Sequence, residues 1–139
     1  MNRLQFLLHA KSQYNIQSPF LFGLYSNVLS VRLDRHRLRS LGIGRRDRYA
    51  QLRFMLADHY HAAPCQPPSA LAGADDVLLL PDGSFAALLR KPHRNAAAES
   101  RWMHLVNGPS ATLAVDLFDT GLLFTSPKLS RQLLLLSLF

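Results

Sequence analysis

The sequence predicts an α/β protein of α+β-like organisation, with N-terminal helices followed by a small mixed, largely antiparallel sheet and one long helix. Three observations predict it. Apolar residues recur at helical spacing over the first 60 or so positions. Short apolar runs separated by turn residues follow, and one helical pattern interrupts them. A chain of 139 residues, 48% of them hydrophobic, is the size of one domain, so we expect a single domain over 1–139.

Four helices are predicted at the front of the chain. Leucines at helical spacing predict the first, over about 2–13. The second begins at Pro19, which suits a first helical position, with Ser18 as its N-cap. An arginine-rich short helix follows, and the glycines of "LGIG" end it. Asp47 is placed to cap the fourth helix, which runs to about His61. Together these helices form a basic segment, 1–62.

The periodicity changes after a linker over 63–75, which is rich in Pro, Ala and Gly. In the segment 76–139, "DDVLLL", "PDGS" and "FAALLRK" predict a hairpin. Asn95 is placed to cap a helix that Gly108 and Pro109 end. "ATLAVDLF", "GLLFTS" and "RQLLLLSLF" predict three further strands, the first two joined by a tight turn.

The positive charge of the chain is concentrated at its front. Residues 1–55 contain ten Lys or Arg and two acids, whereas 56–139 contain six bases and seven acids. Arginine forks suit phosphate groups, and clustered arginines also suit an acidic protein or a merely solvated surface. We therefore regard nucleic acid, a protein partner and simple solubility as open interpretations. The candidate phosphate- or partner-binding residues are Arg35, Arg37, Arg39, Arg45, Arg46 and Arg48.

No pattern predicts a catalytic centre or a metal site. The spacing of His59 and His61 does not place both on one helical face, and the chain has neither C-x-x-C nor H-E-x-x-H, so we expect surface histidines. Cys65 is the only cysteine and carries no signature of a nucleophile. No run is long enough for a membrane span, and we expect no membrane partner and a cytoplasmic location.

Two stretches of the chain carry a family resemblance. The first, Tyr14 to Phe20, reads "YNIQSPF", and in the second Trp102 precedes "VDLFDTGLLF". The first is similar to a His-Gly-(Val/Ile)-His-Ser-Pro-Phe signature, with Tyr14 and Gln17 at the histidine positions. That signature, and closing strands similar to the second stretch, are found in a group of class I S-adenosylmethionine-dependent methyltransferases from Bacteroidetes, which the chain therefore resembles. The resemblance covers about 4–62 and 76–139. The residues it implies to be structural are Ser18, Pro19, Phe20, Trp102, Asp116 and Gly121.

The resemblance implies a cofactor-binding middle that this sequence does not contain. Such enzymes hold S-adenosylmethionine with a Gly-rich loop after their first strand. Gly42 and Gly44 are the nearest pattern, but no apolar strand precedes them, so we interpret them as a turn between helices. The interval between His61 and Asp75 is shorter than one βαβ unit of about 30 residues. No cofactor is therefore expected, unless the family activity and its S-adenosylmethionine are retained.

Three hypotheses follow. The favoured one is a shortened methyltransferase-like protein without catalytic activity, which binds or assembles with a partner or with a second copy. The second is an active methyltransferase that completes its site in an oligomer. The third is a basic nucleic-acid-binding module. For Asp116, which lies in an apolar strand, we expect a structural role, either facing solvent or hydrogen-bonded to neighbouring backbone.

Overall fold

The computed structural model describes residues 19–129 and 132–135. The helix predicted over 2–13 and the capping role of Ser18 lie outside these ranges. Four α-helices are described: α1 (Pro19–Leu24), α2 (Arg35–Leu41), α3 (Arg48–Tyr60) and α4 (Ala96–Val106). A π-helical turn, Tyr25–Leu29, continues α1.

Side-chain caps begin three of these helices. Asp47 accepts a hydrogen bond from the backbone N–H of Ala50 at 3.1 Å, and Asn95 accepts one from Ala98 at 2.8 Å. Both predicted caps are confirmed, and they satisfy N–H groups that no helical carbonyl can reach. Asp34 caps α2 in the same way.

Six strands form one sheet in the order β1-β2-β3-β5-β4-β6. Every neighbouring pair is antiparallel except β4 and β6, which are parallel, so the predicted mixed, largely antiparallel sheet is confirmed. Because β3 and β4 both run antiparallel to β5 between them, α4 connects two strands of the same direction. The strands are β1 (Ala63–Pro64), β2 (Asp76–Leu79), β3 (Phe85–Arg90), β4 (Leu113–Asp116), β5 (Thr120–Phe124) and β6 (Gln132–Leu135).

The sheet separates two apolar clusters. On one face, Leu88 and Leu122 pack with residues of α3 and of the π-helical turn. On the other, Leu123 packs with α4, where Trp102 is 1% exposed. The alternation of side chains along each strand places successive residues in opposite clusters. Helices on both faces therefore bury β4 and β5 along their whole length, and β3 except at its two ends.

The predicted linker contributes to this core. Besides β1, the segment 63–75 contains a 3₁₀ turn, Ser69–Leu71, whose Leu71 is buried in the cluster beneath α4. The predicted hairpin follows directly, with β2 paired to β3 and Gly83 at φ 87° in the turn between them. A positive φ of this kind strains any residue with a Cβ, so glycine suits the position.

Candidate functional site

Three arginines surround one cavity beside α2. Arg35 and Arg39 lie one turn apart on α2 and therefore share a face, and Arg45 approaches from the turn that follows. Leu38 and Ile43 form the apolar floor between them. The cavity measures about 470 Å³. We call it the arginine groove.

A specific helix ending holds the groove in shape. Gly42 adopts a left-handed conformation with φ 69°, and its N–H donates to the carbonyl of Arg39 at 3.2 Å. The N–H of Ile43 donates to the carbonyl of Leu38 at 3.0 Å. This is the Schellman arrangement, which typically brings an apolar contact between the residues that here form the floor. Gly42 and Gly44 thus lie in a turn between helices, as predicted.

The charge of the groove is not compensated within the described part of the chain. No carboxylate there pairs with Arg35, Arg39 or Arg45. All three are exposed. Guanidinium groups present planar forks of N–H donors that match the oxygens of phosphate or carboxylate. The groove can therefore bind an anionic group through charge-assisted hydrogen bonds.

The remaining predicted arginines do not join the groove. Arg37 lies over the ring of Phe54, with 5.5 Å from its Cζ to the ring centroid. Arg48 donates to the backbone carbonyls of Leu29 and Val31, and so closes the end of the π-helical turn. Burial, together with the nearby Arg32, lowers the pKa of Arg48 to about 10. Arg48 is a structural residue in this arrangement.

Arg46 lines a second cavity of about 490 Å³ at the end of β3. Its lining residues are Arg46, Asp47, Arg48, Tyr49, Arg90, Lys91 and Asp119. We call it the strand-end pocket. Four of these seven residues are cationic and two are acidic, so the pocket is positively charged on balance.

Contacts among its lining residues fix the pocket. The guanidinium of Arg90 lies over the ring of Tyr49 at 4.2 Å and pairs with Asp47 at 3.5 Å. The hydroxyl of Tyr49 donates to Asp76 at 2.5 Å. Burial, and then this hydrogen bond, raise the pKa of Tyr49 above its ordinary range. Arg46 and Lys91 make no side-chain contact of this kind among the described residues, and both are exposed.

A separate polar cluster lies on the opposite face of the sheet, beside α4. The Nε2 atom of His93 lies 2.5 Å from Asp116, and its Nδ1 atom lies 3.0 Å from Glu99. Both ring nitrogens of His93 are therefore engaged by carboxyl oxygens of the protein itself. The His93 side chain is 7% exposed, so the expectation that it is a surface histidine is wrong.

The carboxylate of Asp116 is held by two neighbouring groups. Besides His93, its carboxylate accepts from the N–H of Phe118 at 2.9 Å, which is one of the two structural roles expected from the sequence. Phe118 has φ 70° and stacks on the His93 ring at 5.5 Å. The hydrogen bonds and the stacked ring hold this turn in a conformation that is uncommon for a bulky residue.

The three C-terminal residues that carry the family resemblance lie together. Trp102 contacts Gly121, and Asp116 lies opposite Gly121 on the neighbouring strand. Asp116 pairs in register with Gly121. A Cβ at Gly121 would lie 2.6 Å from the Trp102 ring. Only glycine allows the indole to lie this close to the strand. Of the N-terminal signature, Phe20 packs edge-on against Phe124 at 5.2 Å, while Ser18 lies outside the described residues.

The sequence did not single out Arg90, Lys91 or His93. Arg90 and Lys91 end a predicted strand, and a basic pair at that position is ordinary in isolation. Only the turn before α3 makes them part of a cationic pocket. Within residues 19–129 and 132–135, no three His, Cys, Asp or Glu side chains converge as metal ligands.

No protein-family model matches this chain, and the searches of curated proteins and of solved structures also returned no match. In the described part of the chain, no helix has the length and apolarity to cross a membrane.

Proposed function

We propose that this chain is a non-catalytic, methyltransferase-like binding protein that recognises an anionic partner through the arginine groove. The observation that carries the proposal is the convergence of Arg35, Arg39 and Arg45 on one cavity without a carboxylate partner in the described residues. The three positive charges around one cavity repel one another. An anion placed between them relieves that repulsion and forms charge-assisted hydrogen bonds.

The methyltransferase-like part of the proposal is supported by the C-terminal packing. Trp102 lies against Gly121, and Gly121 pairs in register with Asp116, so the C-terminal signature residues form one packing unit. Fifteen residues separate α3 from β2, and they contain β1 and a 3₁₀ turn. An interval of this length has no room for the βαβ units that hold the cofactor in such enzymes.

The non-catalytic part is supported by the contacts of His93. Both of its ring nitrogens contact carboxyl oxygens of the protein itself, so neither is open to take a proton from a substrate. Its role is to pair two acids on the face of the sheet beneath α4. Calorimetric titration of the chain with S-adenosylmethionine tests this part, and we expect no binding heat. Micromolar binding would favour an active methyltransferase instead.

Inorganic tripolyphosphate tests the anion site directly. We expect calorimetry at low salt to detect binding, and the double substitution R39Q/R45Q to weaken it about tenfold, which equals about 1.4 kcal/mol. The control is R101Q/K128Q, which removes the same charge from residues outside both cavities. Equal weakening by the two double variants would show a nonspecific charge effect and contradict the proposal.

A further inference from the structure

The arginine groove and the strand-end pocket meet at one turn. Arg45 lines the groove and Arg46 lines the pocket, and their Cα atoms are neighbours about 3.8 Å apart. The N–H of Asp47 donates to the carbonyl of Gly44 at 3.1 Å and closes this turn. Neighbouring residues of one turn therefore line the two cavities, and cations lie on both sides of that turn.

We infer that the two cavities together form a track for the phosphate backbone of a nucleic-acid duplex. The inference rests on the proposed function, since it names the partner of the arginine groove. The cations available to the partner are Arg35, Arg39, Arg45, Arg46 and Lys91. Arg48 and Arg90 are not among them, because two backbone carbonyls bind the guanidinium of Arg48 and Asp47 pairs with that of Arg90.

The composition of the track favours phosphate. Four of its five cations are arginines, whose forks bind phosphate oxygens in pairs. A nucleic-acid backbone offers such groups in a regular series, so one molecule can occupy both cavities. A small anion would fill only one of them. A ligand with repeated phosphates is the one that uses both cavities and the turn between them.

The aromatic residues favour a duplex over a single strand. Single-strand binding depends on aromatic rings on which bases stack. Tyr49, the aromatic residue that lines the strand-end pocket, is already covered by Arg90. Contacts to the backbone alone carry no sequence information. We therefore expect the track to bind the phosphate backbone of a duplex without preference for particular bases.

The salt dependence of binding tests the track. The probes are a fluorescein-labelled DNA duplex, the matching RNA duplex, the single strand of the DNA, and labelled poly-glutamate, each measured by anisotropy across a potassium chloride series. Five phosphate contacts give a slope of log K against log[salt] of about −4.5 on duplex DNA. We expect the single strand and poly-glutamate to bind at least about tenfold more weakly.

Variants at each end of the track separate its two halves. R39Q/R45Q in the groove and R46Q/K91N in the pocket should each make the slope shallower by about 2. Asn is chosen at Lys91 because that residue has φ 46°, which Asn tolerates. Arg90 is left intact because it packs on Tyr49 and pairs with Asp47. The control R101Q/K128Q should leave the slope unchanged.

The outcomes distinguish this inference from the proposed function. If R46Q/K91N keeps the wild-type slope while R39Q/R45Q still loses tripolyphosphate binding, the track is wrong and the groove stands. Preference for poly-glutamate would replace the nucleic acid with an acidic protein, and preference for the single strand would exclude the duplex. If no probe binds and tripolyphosphate also fails, the proposed function fails with the inference. Thermal unfolding of each variant, followed by circular dichroism, confirms that it is folded.

Discussion

The arginine groove and the His93 cluster, which consists of His93, Glu99 and Asp116, differ in whether their charged groups are paired within the protein. In the groove, three exposed arginines have no carboxylate partner among the described residues. In the cluster, His93 lies between Asp116 and Glu99, and the side chains of His93 and Asp116 are 7% and 3% exposed. The first arrangement leaves its hydrogen-bonding groups open to a partner, and the second satisfies them internally. The first is suited to binding and the second to holding the fold.

The difference is thermodynamic. A buried carboxylate or imidazolium is tolerated only when it is paired, since removing one partner leaves an uncompensated charge. An exposed arginine is solvated, so its removal changes stability little but changes the field that an approaching anion meets. We therefore expect substitutions in the cluster to act on stability, and substitutions in the groove to act on binding.

The largest expected effect is that of Asp116→Ala. It removes the acceptor of two hydrogen bonds and leaves the buried His93 ring without its contact to Asp116. We expect a loss of about 3–5 kcal/mol in the free energy of unfolding, measured by urea denaturation. Asp58→Ala, at an exposed position of α3, should change it by less than about 0.5 kcal/mol. A similar small change at Asp116 would show that the cluster is not structural.

Gly121→Ala should destabilise the same face by a different route. The new Cβ would lie 2.6 Å from the Trp102 ring, so the indole or the strand must move. Overpacking of this kind costs about 1–3 kcal/mol. Because Trp102 is the only tryptophan, its fluorescence spectrum should shift in the folded state. Gly73→Ala, where a Cβ meets nothing within 4 Å, is the control and should leave both readouts unchanged.

Arg48 and Arg46, which both line the strand-end pocket, test whether a structural arginine and a binding arginine can be told apart. Arg48→Gln loses the hydrogen bonds to the carbonyls of Leu29 and Val31, and we expect unfolding to become easier by about 1–3 kcal/mol. Arg46→Gln should change stability by less than about 0.5 kcal/mol and instead weaken duplex binding. Urea denaturation and anisotropy on the same two proteins separate the effects. If Arg46→Gln lowered stability and Arg48→Gln weakened duplex binding instead, Arg46 would be the structural residue and Arg48 the binding residue.

Local signals explain which parts of the fold the sequence could predict. Asp47 and Asn95 are capping residues directly before helical patterns, and each caps its helix as expected. The β2–β3 hairpin follows from "PDGS", a turn signal within a few residues. The buried Leu71 could not be predicted in this way, because the Pro- and Ala-rich segment around it shows no periodicity.

Tertiary contacts explain what the sequence could not predict about the site. Arg46 and Arg48 are equivalent in the sequence, and only the position of the π-helical turn makes Arg48 structural. Arg90 and Lys91 join the basic surface because β3 ends beside α3, a contact across some 40 residues of chain. His93 becomes buried because α4 and β4 bring Glu99 and Asp116 to either side of its ring.

The smallest expected effect concerns Tyr60, which packs on Phe20 and near Phe124 on the apolar side of α3. Burial raises the pKa of Tyr60 to about 12 from an ordinary value of 10. Because the folded chain holds this proton more tightly, its stabilising effect is complete below pH 10 and is lost as the pH rises through about 12. Ultraviolet titration of the phenolate should therefore show a tyrosine that ionises near pH 12, and Tyr60→Phe should remove that step. If the step persists in Tyr60→Phe, it belongs to another of the four tyrosines, and the raised pKa of Tyr60 is contradicted.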